Sequence, residues 1–221
     1  MYVGALSGII PGGPGHSHQS VRDVSALAAM PGLVLIQPAT EREVALAVDY
    51  CLRVTKESTY LRLASVPVAV PFDLPRDYSL SEGVGVPITE GYDAVMFSYG
   101  PVLLTEAFMA AEQLRNYGIG LRVVNLPWLN RVDRDWLANE IVGKKWMYSL
   151  DDQYTIGGQG QMLMSVLATL NLDVYPLASM RGVLDIPLSG ANDEVLRAHR
   201  LDRESLVQDI AATMGIDARL R

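Results

Sequence analysis

The sequence has little of several features, and each shortage excludes a class of protein. Its 221 residues include one cysteine, Cys51, so no disulfide can form within the chain. No apolar run reaches the ~18 residues that a membrane-spanning helix needs. No basic stretch precedes an apolar run near Met1, so a secretory signal is not expected. We therefore predict a cytoplasmic protein that does not enter a membrane.

Positive charge is also scarce. Lys and Arg number 18 against 25 Asp and Glu, which gives a net charge of −7. Nucleic-acid backbones bind clustered basic side chains, so this balance argues against a nucleic-acid partner, although it leaves room for a local basic pocket. Hydrophobic residues make up 49% of the chain and charged residues 19%, a balance typical of a folded globular protein.

Most familiar catalytic and nucleotide-binding motifs are missing. The glycines of residues 156–160 lack the spacing of a dinucleotide fingerprint and predict a tight turn into a helix, where an anion could still bind. Asp151 and Asp152 have no metal-ligand spacing with other acids, so they are predicted as loop and cap residues.

His199 lies in a charged helix and is predicted to be solvated. Cys51 lies on an apolar helical stripe and predicts a buried, inert thiol.

Strand-like and helix-like segments alternate, which predicts parallel sheets with crossover helices. Residues 65–91 carry four prolines and predict a linker with one short edge hairpin. We predict an α/β fold of two three-layer α/β/α units with mainly parallel sheets, the first of them incomplete. The units are assigned to residues 1–77 and 78–221.

The individual elements follow from periodicity and from capping residues. Thr40 with Glu43 three residues later predicts a capping box at the start of a helix. The strands are predicted at residues 2–6, 33–37, 60–63, 94–99, 121–126, 146–150 and 174–177. Helices are predicted at residues 20–30, 41–55, 105–117, 133–141 and 159–170, with two more starting at Asp193 and Asp202.

A loop rich in Gly and Pro follows the first predicted strand and carries His16 and His18. Loops that leave the ends of parallel strands are where ligands usually bind, and glycine lets the backbone approach a ligand closely. Imidazoles donate, accept and move protons near neutral pH. From composition alone, a surface loop with two solvated histidines is an equally good interpretation.

Arg62 is unusual because parallel strands are commonly buried on both faces. At the carboxyl end of its predicted strand it could reach the ligand crevice, where a guanidinium binds phosphate or carboxylate through two hydrogen bonds. The alternative is an arginine that reaches water or pairs with an Asp or Glu.

Several segments together resemble the transketolase family. Residues 15–19, Gly-His-Ser-His-Gln, and residues 30–43, Met-Pro-Gly-Leu-Val-Leu-Ile-Gln-Pro-Ala-Thr-Glu-Arg-Glu, resemble the second half of its pyrimidine-binding domain. Residues 92–101, 121–126 and 151–160 resemble its C-terminal domain. The resemblance covers nearly the whole chain, and the order and spacing of the segments carry it.

The resemblance implies a function and roles for the three candidate residues. It implies the transfer of a two-carbon ketol unit between sugar phosphates, with thiamine diphosphate and Mg²⁺ as cofactors. His18 matches a histidine that contacts the donor sugar and the reactive intermediate, and Arg62 matches an arginine that binds the sugar phosphate. His16 stays open as an alternative, because related beta subunits of 2-oxoacid dehydrogenases carry a His-Ser-Gln-Ser turn.

The resemblance is incomplete at the cofactor. The chain has no Gly-Asp-Gly for the diphosphate and Mg²⁺, and Leu6-Ser7 stands where the family has a His-Asp pair. We expect the glutamate and the aromatic pocket that face the cofactor ring to lie outside this chain. It would then be a partial gene product, a fragment or a split subunit that is inactive alone. Its partner would be an N-terminal transketolase section or second subunit, in a homo- or hetero-oligomer.

Two other functions stay open. One is the beta section of a 2-oxoacid dehydrogenase. The other is a non-catalytic assembly or regulatory module that keeps only the dimer interface. We also expect residues from about 92 onward to be the more stable part, and the first 30 or so to be ordered through another chain.

The missing cofactor motifs generate a binding prediction. The isolated chain should not bind thiamine diphosphate with Mg²⁺ measurably in a calorimetric titration. A dissociation constant at or below roughly micromolar, equivalent to about −8 kcal/mol, would contradict this assignment of the cofactor site to other segments.

Overall fold

The computed structural model of the chain describes residues 1–216. Within them, eight strands are Tyr2–Gly4 (β1), Leu33–Ile36 (β2), Ser58–Arg62 (β3), Val86–Pro87 (β4), Ala94–Ser98 (β5), Leu121–Asn125 (β6), Trp146–Tyr154 (β7) and Leu177–Val183 (β8). The α-helices of this range are Asp23–Leu27 (α1), Glu41–Asp49 (α2), Pro101–Leu114 (α3), Arg134–Ile141 (α4), Gln159–Leu167 (α5), Asn192–Ala198 (α6) and Arg203–Thr213 (α7). A π-helical turn, Tyr50–Val54, extends α2, and a 3₁₀ turn, Arg115–Tyr117, extends α3.

The first sheet is parallel and has three strands in the order β1-β3-β2. Alternate side chains of β2 point to opposite faces. Leu33 and Leu35 pack against Val24 of α1, whereas Val34 and Ile36 pack with Ala47 of α2. The outer strand β1 is poorly covered, because Tyr2 is 66% exposed and Val3 51% exposed.

The second sheet has five strands in the order β4-β6-β5-β7-β8, and only β4 runs antiparallel. Its central strand β5 is buried along its whole length, which suits its apolar sequence. Helices α3 and α7 cover one face, with Leu104 and Ile210 in that layer. Helices α4 and α5 cover the other, with Leu137 and Leu163.

The two sheets are joined directly. Gln37 N donates to Pro127 O at 2.9 Å, and Leu129 N donates to Leu35 O at 2.9 Å, so the segment after β6 pairs with β2. Trp128 between them is fully buried and meets the ring of Tyr50 edge-on, with ring centroids 5.0 Å apart. The apolar core therefore continues from one unit into the other.

The proline-rich linker is held by the first turn of α2. Arg42 donates from its guanidinium to the carbonyls of Pro75, Arg76 and Tyr78, at 2.7 to 3.0 Å. The fully buried Glu43 accepts from Tyr78 Oη at 2.5 Å. Burial raises the pKa of Glu43, although its hydrogen bonds oppose that shift.

The predicted fold class is confirmed: the chain is mixed α/β with mainly parallel sheets. Three predicted caps are also present, since the side chains of Thr40, Asp133 and Asp202 accept from backbone N–H groups of α2, α4 and α7. The capping box at Thr40 is only half formed, because the Glu43 carboxylate turns to Ala39 N at 2.7 Å. Cys51 is a free, buried cysteine as predicted, and burial raises the pKa of its thiol.

Some element boundaries are wrong. The last strand is Leu177–Val183 rather than residues 174–177, because pairing with β7 selects it and an edge strand accepts polar residues without an apolar pattern. Helix α6 has Ala191 at its N-cap, so Asp193 lies in its first turn. The linker contains no hairpin among its described residues, only β4 at the sheet edge.

Helices α1 and α3 also differ from the prediction. Helix α1 is confined to Asp23–Leu27, because the backbone before it forms the loop described below. Helix α3 begins earlier than predicted, at Pro101, whose fixed φ suits the first helical position. No helix within residues 1–216 is long and apolar enough to cross a bilayer.

The uncovered edge at β1 generates a prediction about local stability. Amides of β5 should exchange with solvent only through global unfolding, which costs about 5–15 kcal/mol in native domains. Amides of β1 should exchange through fraying of the exposed edge, because one side of that strand has no neighbouring strand among residues 1–216.

Hydrogen exchange by mass spectrometry, on chain shown to be monomeric by ultracentrifugation, measures the difference. Strong protection across residues 2–6 in that monomer would contradict an incomplete first sheet. It would also weaken the case that this edge is completed by other segments.

Candidate functional site

The histidine loop, residues 5–22, connects β1 to α1 and is anchored on both sides of its tip. On the incoming side, Gly12 N donates to Asn192 Oδ1 at 3.0 Å, and Gly190 N donates to Gly12 O at 3.3 Å. Ser189 Oγ donates to Gly13 O at 2.9 Å. This half of the loop therefore lies on the segment that leads into α6.

On the outgoing side, the buried side chain of Gln19 donates from Nε2 to Ile9 O at 2.9 Å and to Leu188 O at 3.1 Å. Tyr154 N of β7 donates to Val21 O at 3.0 Å. The loop is thus anchored by this chain's own second unit. The expectation that the first 30 or so residues are ordered through another chain stays a prediction.

Both candidate histidines lie at the tip of the loop. His18 is exposed, and its Nδ1 is 2.9 Å from Ser17 Oγ. His16 is half-buried, and its Nδ1 is buried without a hydrogen-bond partner among residues 1–216. The tip offers one accessible imidazole and one with an unused ring nitrogen, so the structure leaves both assignments open.

Arg62, at the carboxyl end of β3, is fully buried and paired with the chain itself. Its Nε and Nη2 donate to the two carboxylate oxygens of Asp23 at 2.8 and 3.1 Å, and Nη2 also donates to Ser20 O at 3.2 Å. Its Nη1 donates to Asp152 Oδ1 at 2.8 Å and to Gln37 Oε1. Burial acts to lower the pKa of Arg62, but Asp152 and Asp23 raise it above its ordinary value.

These bonds use all five N–H groups of the guanidinium. In this arrangement Arg62 has no donor left for a substrate phosphate, and the geometry favours the alternative interpretation of pairing with an Asp or Glu. A phosphate-binding role for Arg62 stays a prediction, and it would require these buried pairs to open.

Asp152 and Asp151 are neighbours in β7 with different partners. Asp152 Oδ2 accepts from Gln37 Nε2 at 3.0 Å, so it belongs to the Arg62 network and is not a cap. Asp151 accepts from Gln159 N and Gly160 N, each at 3.0 Å, so it caps α5 from the adjacent strand. The predicted tight turn into a helix is present, but its first free N–H groups face Asp151 rather than an external anion.

Tyr99 links the two carboxylates. Its hydroxyl donates to Asp151 Oδ1 at 2.9 Å and lies 3.3 Å from Asp152 Oδ1. Burial, together with both acids, raises the pKa of Tyr99 well above its ordinary value, so its hydroxyl keeps its proton. Burial also raises the pKa of Asp151, to about 6.

Two glycines allow the backbone to reach this network. Gly8 has φ +80, and a Cβ there would lie 2.3 Å from Asp152 Oδ2. Gly100 has φ +68, and a Cβ there would lie 2.4 Å from Gln37 Nε2. At both positions a side chain would be strained and would also displace a polar group of the network.

Sequence reasoning missed Asp23, Gln37 and Tyr99 as members of the site. One signal in the sequence could have found them. Each lies at the end of a predicted strand or near the start of a predicted helix, close to the carboxyl ends of parallel strands, where side chains converge.

The prediction that His199 is solvated is wrong. The residue is half-buried instead, its Nε2 accepts from Leu188 N at 3.2 Å, and burial lowers its pKa.

The described residues do not suit a metal centre. Residues 1–216 contain no group of three or more His, Cys, Asp or Glu side chains that could hold a metal ion. The paired acids of the Arg62 network are occupied by arginine, tyrosine and backbone donors. Within residues 1–216, the acids of this network are therefore not available as ligands for Mg²⁺.

Two family models match the chain in order. The transketolase pyrimidine binding domain matches residues 1–65, and the transketolase C-terminal domain matches residues 83–206. A protein of Methanocaldococcus jannaschii named as a transketolase C-terminal section is 26% identical over 217 residues, covering 96% of this chain and 65% of that protein. One of the subunits of an apulose-4-phosphate transketolase of Phocaeicola vulgatus is 25% identical over 214 residues, covering 92% and 64%.

A solved structure has the same fold. A split gene transketolase, described as an inactive beta4 tetramer, superposes with a TM-score of 0.80 at 21% identity, covering 97% of this chain and 66% of that chain. The chain spans less than two thirds of the length of the two curated relatives described above.

The raised pKa of Asp151 generates a prediction with a defined sign. The folded chain binds this proton more tightly than the unfolded chain, because the pKa is about 6 when folded and 3.8 ordinarily. The contribution of Asp151 to stability is therefore fully present below about pH 4 and is lost as the pH rises through about 6. The loss by pH 7 is on the order of 2–3 kcal/mol.

Urea unfolding from pH 4 to pH 8 tests this by comparing the wild-type chain with Asp151→Asn. The variant should have a flatter pH dependence of the unfolding free energy, whatever its absolute stability. Asp133→Asn, at the exposed cap of α4, is the matched control for replacing one helix-capping carboxylate by an amide. An unchanged slope in Asp151→Asn would contradict the raised pKa.

Proposed function

Because the chain belongs to the transketolase family, we propose that it is the C-terminal portion of a thiamine-diphosphate-dependent transketolase-like enzyme. It would take part in transferring a two-carbon ketol unit between sugar phosphates and would be inactive alone. The observation that carries this proposal is the ordered match of both domains, over residues 1–65 and 83–206. The proposed boundary between the two units stays at residues 77 and 78.

The accessible imidazole at the loop tip is the group we assign to the substrate. His18 is exposed and can donate a hydrogen bond to a hydroxyl, or to an alkoxide that forms at the reacting carbons. His16 is the alternative, because its unpaired Nδ1 would gain a partner from a ligand. A substrate-binding role for Arg62 stays a prediction, and it would require the buried pairs of Arg62 with Asp23 and Asp152 to open.

The cofactor is assigned to other segments. Membership of the family supports dependence on thiamine diphosphate, which supplies the electron sink for carbon–carbon bond cleavage when bound. The described residues offer no donor set for Mg²⁺. We therefore propose that the diphosphate and Mg²⁺ are held mainly by a partner.

The partner is proposed to be an N-terminal transketolase section or a second subunit, within a homo- or hetero-oligomer. Two similar proteins support this, since one is named as a single subunit of a transketolase and the other as a split gene transketolase. The phosphorylated sugar in the first name also supports a sugar-phosphate substrate over a 2-oxo acid. A cytoplasmic location stays a prediction from the sequence.

Reconstitution tests the proposal and the role of His18 together. The chain mixed with a partner that carries the diphosphate motif should transfer a ketol unit from a ketose phosphate to an aldose phosphate. In that enzyme His18→Ala should lower kcat more than it changes KM, because the contact strengthens as charge develops at the reacting carbons. A loss of roughly 10²-fold to 10⁴-fold is expected for a group that assists proton transfer.

His16→Ala is the matched control, since it removes an imidazole two positions away on the same tip. A full loss from His16→Ala, with wild-type kcat in His18→Ala, would transfer the role to His16. Turnover of 2-oxo acids in place of sugar phosphates would favour the beta section of a 2-oxoacid dehydrogenase. Absence of either activity in the assembled complex would favour a non-catalytic assembly module.

A further inference from the structure

At the neck of the histidine loop, the carbonyl of Ser20 joins the two ends of the loop to each other and to Arg62. Ser20 O accepts from Gly8 N at 3.0 Å and from Arg62 Nη2 at 3.2 Å. Gly8 and Ser20 are the points where the loop leaves the first unit and returns to it, and His18 lies two residues before Ser20. The position of this carbonyl therefore contributes to the direction in which the tip leaves the protein, together with the anchors at Asn192, Ser189 and Gln19.

The same guanidinium holds the first residue of α1. The two carboxylate oxygens of Asp23 accept hydrogen bonds from Nε and Nη2 of Arg62. This bidentate pair fixes both the position and the plane of the carboxylate. Asp23 Oδ2 also accepts from Tyr60 Oη at 2.9 Å. The outgoing side of the loop is thus attached to β3 at Ser20 and again at Asp23.

The remaining N–H groups of Arg62 fix the guanidinium itself. Nη1 donates to Asp152 of β7, which belongs to the second sheet, and to Gln37 at the end of β2. Asp152 is in turn held by Gln37 and lies near the Tyr99 hydroxyl. Arg62 is therefore tied to β7 and to the end of β2, and its bond to Ser20 O adds a further anchor to the histidine loop.

We propose, building on the function proposed above, that Arg62 is a positioning residue for the histidine tip. It acts through Ser20 and Asp23 while its buried pairs stay closed, which is the alternative to a phosphate contact that would need those pairs to open. The guanidinium shape is required, because one group must make a fork to Asp23 and also reach Asp152. A lysine ammonium supplies the charge but not the fork.

Arg62→Lys and Arg62→Gln separate the charge from the shape. The readout is the imidazole proton spectrum, which is simple because the chain has 3 histidines. In both variants the signals of His16 and His18 should shift or broaden relative to the wild-type spectrum. The signal of His199, whose Nε2 accepts from Leu188 N beside the contact of Gln19 with Leu188 O, reports whether that neighbouring segment moves as well. Amides of the loop should exchange about tenfold faster than in the wild-type chain.

The control is Arg122→Gln. Arg122 lies on β6 of the second sheet and forms a partly buried ion pair with Glu140 of α4, which this variant breaks. It should lower stability without moving the His16 and His18 signals. Arg62→Lys should recover more of the unfolding free energy than Arg62→Gln, yet leave the loop signals displaced. If Arg62→Gln does not fold, Asp23→Asn removes the same fork from the other side and should displace the same signals.

Unchanged His16 and His18 signals in folded Arg62→Lys would overturn the proposal. In the reconstituted enzyme, Arg62→Lys should lower kcat equally for phosphorylated and unphosphorylated substrates. A loss confined to phosphorylated substrates would also overturn it and return Arg62 to phosphate binding. If no partner yields ketol transfer, the proposed function fails, and the imidazole spectrum still decides the role of Arg62.

Discussion

A buried guanidinium requires a partner for each of its N–H groups, and Arg62 obtains them from four different parts of the chain. Ser20 and Asp23 come from the loop and α1, Gln37 from the end of β2, and Asp152 from β7. Removing one partner of a buried ion pair commonly costs about 3–5 kcal/mol, because a charge is left without compensation. The relative positions of both sheets and the loop are therefore coupled through one side chain.

The surrounding core makes that coupling specific. The pairing of β2 with residues 127–129 brings the two sheets to a common edge, and Trp128 fills the space between them. Glu43 and Arg42 hold the linker beside the same edge through Tyr78. Apolar contacts alone would tolerate some sliding between the units, whereas the hydrogen bonds of Arg62 do not, since each has a direction as well as a distance.

The sequence was a good guide to the fold, because periodicity and capping are local properties. Thr40, Asp133 and Asp202 cap helices as predicted, and β5 was recognisable as a short apolar run. The site was less predictable, because its partners are far apart in the chain: Arg62 is 90 positions from Asp152 and 39 from Asp23. A lone arginine in a strand indicated a special position but not the identity of its partners.

The separation of roles within the loop follows from these constraints. Both sides of the tip are fixed, by Asn192 and Ser189 on one side and by Arg62 on the other, so little conformational entropy remains to be lost there on binding. The tip itself keeps His18 exposed, and Nδ1 of His16 has no hydrogen-bond partner in the described part of the chain. A loop with a rigid neck and an accessible tip can present an imidazole to a ligand at a defined position. A guanidinium buried in the neck can then set the position of that imidazole without touching the ligand.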